Sequence, residues 1–111
     1  MPFYRWEELP QEKPGPSYSS AVGGILRGKD IMFAKLKYPA GSEAKPHSHE
    51  NEQFWYLTKG KVICKIGNEE ERTMGPGDIA HIPADVVHYT KVLDEEVEAI
   101  TCKHIVEGRL A

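Results

Sequence analysis

Residues 41–60 read GSEAKPHSHENEQFWYLTKG, and this stretch carries the most informative polar side chains of the chain. In an extended segment residues i and i+2 point to the same face, so His47 and His49 present two imidazoles side by side. Gln53 has the same parity and opens an apolar run, and His88 follows beyond a Pro-Gly turn and a second apolar run. Three neutral imidazoles and a carboxamide oxygen suit one divalent first-row metal ion, whether Fe, Mn, Ni, Zn or Co.

The composition indicates a single domain that binds neither nucleic acid nor a membrane. The chain has 111 residues, 14 of them basic and 17 acidic, and its formal net charge is −3. It lacks the basic stripe of a nucleic-acid-binding protein and any apolar run near the roughly 18–20 residues of a membrane span. The N-terminus, MPFYRWEE, has no apolar signal-peptide core. We therefore expect a cytoplasmic protein whose Cys64 and Cys102 are reduced and half-buried.

Short apolar runs of strand length follow one another along most of the chain. They lie at residues 21–26, 31–38, 53–58, 61–66, 70–74, 79–83, 86–93 and 97–106. Residues 31–38 alternate cleanly, with Met32, Ala34, Leu36 and Tyr38 on one face. Turn residues separate the runs every eight to twelve positions, and no convincing amphipathic helix interrupts them. This pattern predicts an all-β sandwich or barrel.

The first twenty residues differ from the rest. Their four prolines forbid a long regular element, and their apolar side chains need a surface to cover them. These apolar residues are Phe3, Tyr4, Trp6 and Leu9. We expect residues 1–20 to form an N-terminal arm that packs on the barrel or on a dimer partner, and residues 21–111 to form the barrel.

The spacing of residues 41–60 resembles the first motif of the cupins, which are small double-stranded β-helix (jelly-roll) barrels. Gly41 is followed by five residues and then by His47-x-His49. Three residues then precede Gln53, and six more precede Gly60. Most cupins have Glu at the position of Gln53.

A second cupin motif is matched further along the chain. Gly77 is followed by five residues and Pro83, and His88 stands at the ligand position of this motif. Asp85 replaces the usual Gly, and Val92 stands where Asn is common. Together the two motifs carry the resemblance over about residues 31–106.

The resemblance implies that His47, His49, Gln53 and His88 occupy the four metal-ligand positions inside the barrel mouth. It also implies a homodimer, since cupins commonly dimerise through sheet edges and N-terminal segments. The His-Ser-His-Glu-Asn-Glu-Gln segment is further similar to that of single-domain cupins of sugar-acid metabolism, including the pectin-degradation type.

Gln53 changes the expected chemistry because a carboxamide is neutral where a carboxylate is negative. A site of three imidazoles and one amide keeps the full double-positive charge of the metal, which makes the ion a stronger Lewis acid and attracts anions. This favours lyase or isomerase chemistry over dioxygenase chemistry without excluding the latter.

Several other side chains are candidates for the ligand cavity. We expect Trp55, Met32, Leu36 and Tyr38 to bind the substrate, although barrel cores are built of the same residue types. His81 and Tyr38 are candidates for proton transfer; a hydrogen-bonded structural role is the alternative for both.

Two functions remain open from the sequence. The first is a metal-dependent enzyme, of lyase or isomerase type or a dioxygenase, that acts on a small anionic or enolisable molecule. The alternative is a non-catalytic cupin that binds a small molecule as a sensor or carrier. Both make a small organic molecule the partner of the chain.

Overall fold

The computed structural model describes residues 2–106; Met1 of the predicted arm and residues 107–111 of the predicted barrel lie outside the described residues. The described part is built of strands, with one 3₁₀ turn at Trp6–Glu8. The strands are β1 (Val22–Arg27), β2 (Ile31–Tyr38), β3 (Glu43–His47), β4 (Gln53–Lys59), β5 (Val62–Ile66), β6 (Arg72–Met74), β7 (Ile79–Ile82), β8 (His88–Val92) and β9 (Val97–His104).

These strands form two antiparallel sheets. The larger sheet has the order β1-β2-β9-β4-β7, and the smaller sheet has the order β3-β8-β5-β6. Apolar side chains at alternate positions fill the space between the sheets, because period-two alternation gives each strand one apolar face. Leu57, Val62, Val97 and Ala99 are completely buried there. The predicted all-β jelly-roll fold is confirmed.

The predicted faces of the two most regular strands are also confirmed. In β2 the inward residues Met32, Ala34, Leu36 and Tyr38 are buried. In β4 the burial alternates in the same way, so that Gln53 points inward and Phe54 points outward.

One strand was not predicted as a separate element. Strand β3 pairs with β8, with Ala44 opposite Thr90 and His47 opposite His88, and the register shifts between these two pairs. Pro46 lies within this shift and has no backbone N–H to donate to a partner strand. Charged residues and a proline hide β3 from a search for apolar runs.

The N-terminal arm packs on its own barrel. The ring of Trp6 lies 5.4 Å from that of Phe33 on the outer face of the larger sheet. Further along, Glu12 bridges Gly23 of β1 through two backbone hydrogen bonds of 2.8 and 3.0 Å. The carboxylate of Glu12 also accepts two bonds, of 2.7 and 2.9 Å, from the guanidinium of Arg27. The predicted homodimer stays a prediction.

The two glycines that bracket the first motif both have left-handed backbone conformations, but their surroundings differ. Gly41 has φ of +73° and open space where a Cβ would lie. Gly60 has φ of +83°, and a Cβ there would stand 2.7 Å from the backbone oxygen of Glu96 and from Cγ2 of Val97. Gly60 is therefore required both for its backbone conformation and for close packing.

These two glycines give a matched pair of stability predictions. Gly41→Ala should lower the free energy of unfolding by about 1–2 kcal/mol, which is the cost of a left-handed alanine. Gly60→Ala should lower it by about 2–5 kcal/mol, because overpacking against β9 adds to that cost. Urea unfolding followed by circular dichroism measures both values. Equal losses in the two variants would contradict the packing argument.

Candidate metal centre

Strand pairing brings the three predicted histidine ligands together. His47 ends β3 and lies directly opposite His88, which begins β8, while His49 follows in the loop after β3. Their ring centroids are 4.3 Å apart for His47 and His88, 4.9 Å for His49 and His88, and 5.8 Å for His47 and His49. One nitrogen from each ring lies within 4.8 Å of the other two. Three residues that are up to 41 positions apart in sequence thus form one cluster that can hold a metal ion.

Each of the three rings is oriented by a backbone carbonyl two residues away. Nδ1 of His47 bonds the carbonyl oxygen of Lys45 at 2.5 Å, Nδ1 of His49 that of Asn51 at 2.9 Å, and Nδ1 of His88 that of Val86 at 2.9 Å. A carbonyl only accepts hydrogen bonds, so Nδ1 must carry the proton in each ring. The lone pair of each neutral ring therefore lies on Nε2, which is the tautomer a metal ligand needs.

The Nε2 atom of His49 is free of protein hydrogen bonds among the described residues. This atom is buried and has no hydrogen-bond partner. A buried polar atom without a partner costs about 1–3 kcal/mol, and a metal ion at the centre of the cluster would satisfy it. The residues present therefore fit a bound metal.

The protonation equilibria of the cluster point the same way. Burial lowers the pKa of His88 to about 4. Burial also lowers the pKa of His47 and of His49. In all three cases the positive charge of Lys103 lowers the pKa further. All three imidazoles are therefore neutral at neutral pH, and protons compete little with a metal.

Gln53 completes the predicted ligand set. It begins β4, it is only 7% exposed, and its inward side chain lines the same cavity as His47 and His88. The three histidines form the cluster, and Gln53 lines the same cavity. The role of all four residues as metal ligands stays a prediction.

A cavity of about 60 Å³ opens between the sheets beside this cluster. The candidate ligands His47, Gln53 and His88 line it. The predicted substrate-binding residues Met32, Leu36, Tyr38 and Trp55 line the same cavity. All four predicted substrate-binding residues therefore lie in the cavity beside the histidine cluster. Their contact with a substrate stays a prediction.

Tyr38 is held within this cavity by Trp55. The indole Nε1 donates a 3.1 Å hydrogen bond to the Tyr38 hydroxyl, and the two rings meet edge to face at 87°. Burial raises the pKa of Tyr38 to about 12. The hydroxyl therefore stays protonated at neutral pH and is available as a hydrogen-bond donor to a ligand.

The placement of His81 in the pocket is a prediction that the structure corrects. Its side chain is 49% exposed, and Nε2 lies 2.6 Å from a carboxylate oxygen of Glu52. Its ring stacks on outward-facing Phe54, with the centroids 4.8 Å apart. His81 alternates with the buried Ala80 and Ile82 along β7, so it must face the outside of the larger sheet.

Two residues of the cavity were missed in the sequence. Lys103 is only 8% exposed and lines the cavity; burial lowers its pKa to about 8. Its parity with the buried Thr101 and Ala99 in β9 is a sequence signal that places it inside. Tyr18 belongs to the arm, and its ring stacks on that of His47 at 3.8 Å. No local pattern points to that contact.

Comparison with known proteins agrees with this architecture. The sequence profile of the cupin domain matches residues 34–102. A sequence comparison with proteins of curated function finds no match. Among the described residues, the one helical element is a single 3₁₀ turn, so no helix could span a membrane.

Solved structures with the same fold include three of full-length similarity. An RmlC-like cupin from Shewanella frigidimarina superposes with a TM-score of 0.82 at 17% identity, over 97% of this chain and 94% of its own. KdgF from Halomonas sp. gives 0.78 at 23% identity, over 92% and 91%. A predicted oxalate decarboxylase from Thermotoga maritima gives 0.78 at 17% identity, over 94% and 99%.

At these identities the structural likeness establishes the fold and leaves the reaction open. The profile match, in contrast, spans more than half of the chain and includes all four candidate ligands. The two sheets, the cluster of three histidines and this match lead to one conclusion: the chain belongs to the cupin domain family.

Proposed function

We propose that the chain is a mononuclear divalent-metal enzyme that acts on a small anionic or enolisable organic molecule, by lyase or isomerase chemistry or as a dioxygenase. The observation that carries this proposal is the convergence of three imidazoles, whose ligand atoms lie within 4.8 Å of one another, beside a cavity that Gln53 also lines. Among the described residues, no aspartate or glutamate lines that cavity. An anionic ligand would therefore meet positive charge without repulsion.

His47, His49 and His88, with Gln53 as the predicted fourth ligand, would hold a divalent metal, which would supply Lewis acidity toward a substrate oxygen. The chain supplies the remaining functions. The three carbonyl-bonded histidine rings are fixed before any ligand arrives, so little reorganisation is needed during the reaction. Gln53 keeps the centre free of negative charge.

The residues that line the cavity would limit the entry of water and would donate a hydrogen bond to a substrate. Met32, Leu36 and Trp55 give it an apolar lining that limits the entry of water. The Tyr38 hydroxyl, which is protonated at neutral pH, is positioned to donate a hydrogen bond to an oxygen atom of the substrate. Of the two candidates for proton transfer, Tyr38 lines this cavity, whereas His81 lies on the outer face of the larger sheet.

The substrate class has some support from one structural neighbour. The Thermotoga maritima protein is described as a predicted oxalate decarboxylase, and oxalate is a small dianion. This likeness agrees with an anionic substrate for the present cavity, which is argued from its own charges.

The metal site predicts a clear difference between two histidine variants. The purified wild-type protein should hold about one transition-metal ion per chain. His49→Ala should bind the ion at least roughly tenfold more weakly, because it removes one of four ligands. His81→Ala is the matched control; it removes an exposed imidazole and should retain the metal. Elemental analysis after dialysis measures all three proteins, and a metal-free wild type from metal-replete medium would contradict the proposal.

Catalysis is tested separately from binding. The metal-loaded protein is incubated in D₂O with a panel of small 2-oxo acids, 2-hydroxy acids and dicarboxylates, and proton NMR follows exchange and consumption while an electrode follows dioxygen. We expect metal-dependent turnover or exchange of at least one compound, and dioxygen uptake identifies the dioxygenase version.

His49→Ala is the inactive control for that experiment. Saturable binding of a panel compound with no exchange, consumption or dioxygen uptake would instead identify a non-catalytic binding module.

A further inference from the structure

Lys103 is a buried cation, and neither the fold nor the cluster of three histidines requires a positive charge at its position. It lies on the inward face of β9, directly opposite Gln53 of β4 in the strand register. A lysine is rarely buried without an ionic partner. Lys103 takes part in neither of the ion pairs that join Arg27 to Glu12 and His81 to Glu52.

The side chain of Lys103 faces the cavity beside the histidine cluster. Lys103 lines the cavity together with His47, Gln53 and His88. Because Lys103 pairs with Gln53 in the strand register and lines the same cavity as His47 and His88, its side chain and the histidine cluster share one space. A divalent ion and an ammonium group would place three positive charges around a space that no carboxylate of the described residues lines.

We propose that Lys103 forms a second anion-binding position in this cavity and that the ligand is a short dicarboxylate, with one carboxylate at the metal position and the other on the Lys103 ammonium. This inference rests on the proposed metal-dependent function and narrows its substrate class. A monocarboxylate would leave the buried ammonium unpaired, and the desolvation cost of that group would remain.

The register limits the length of the ligand. Residues directly opposite each other on antiparallel strands have Cβ atoms about 4.5–5.5 Å apart, so Gln53 and Lys103 project from neighbouring points of one wall. The two anion positions are therefore close together, and a long-chain diacid would have to fold back on itself. Malonate and succinate are suitable probes, with acetate and propionate as monocarboxylate references.

The first arm of the test uses the Zn²⁺-loaded protein, since Zn²⁺ has no redox chemistry to complicate binding. Calorimetry should give a malonate or succinate affinity at least about tenfold higher than that of acetate or propionate, as expected for one additional charge-assisted hydrogen bond. Equal affinities for the two classes in the wild-type protein would overturn the proposal without recourse to any variant.

The second arm uses Lys103→Met, with Lys91→Met as a control of equal net charge that removes an exposed lysine of β8. Lys103→Met should abolish the preference for dicarboxylates while acetate affinity changes little, and Lys91→Met should preserve the preference. A preference that survives in Lys103→Met would overturn the proposal. The variant is expected to fold with a thermal midpoint at or above that of the metal-free wild type, because it removes a buried unpaired charge.

A third arm separates this proposal from that of the metal-dependent function. In the metal-free protein, malonate should still raise the thermal midpoint through Lys103, and Lys103→Met should show no such rise. If the protein binds no metal but keeps this Lys103-dependent rise, the metal proposal fails and the anion position stands. If the metal binds and no Lys103-dependent effect is found with or without it, the anion position fails alone.

Discussion

The site depends on the pairing of β3 with β8, which sets His47 directly opposite His88. Without that register the imidazoles of His47 and His88 would lie in different parts of the barrel, and the cluster that they form with His49 would not exist. The register shifts between Ala44 and His47, beside Pro46, so that His47 stands opposite His88 at the end of β3. Backbone carbonyls then fix each ring through Nδ1, so that fold, tautomer and ligand geometry follow from a single strand pairing.

The residues that line the cavity are neutral apart from Lys103, which carries a positive charge. Neutral imidazoles and the neutral Gln53 leave the charge of a bound metal undiminished, and buried Lys103 adds to it. Many cupin sites carry a carboxylate at the position of Gln53, whereas the described lining here carries none. The proposed anionic ligand would therefore meet no carboxylate in this lining, and apolar residues such as Trp55 would reduce the screening of its attraction by water.

Much of this arrangement could be predicted from the sequence, since period-two alternation determines which side of a strand is buried. It placed Met32, Tyr38 and Trp55 on the cavity side, and fixed motif spacing placed the four candidate ligands. Strand β3 could not be predicted from the sequence, for a physical reason. Strand β3 carries charges and a proline in place of an apolar run, and its stability comes from pairing with β8.

For Lys103 and His81, residue type is a poorer guide than strand parity to the side of the sheet on which the side chain lies. Parity within β9 places Lys103 inside, but a lysine is ordinarily assumed to be solvated. Parity within β7 places His81 outside, but an imidazole near a metal motif suggested the pocket. The stacking of Tyr18 on His47 is a tertiary contact of the arm, and no local pattern encodes it.

X-ray absorption spectroscopy of the metal-loaded protein tests most directly whether three imidazoles and the Gln53 oxygen hold the metal. We expect only nitrogen and oxygen as nearest neighbours of the metal, at about 2.0–2.2 Å for zinc, with multiple scattering that fits three imidazoles. Sulfur scattering at about 2.3 Å, or a fit to fewer than two imidazoles, would contradict it.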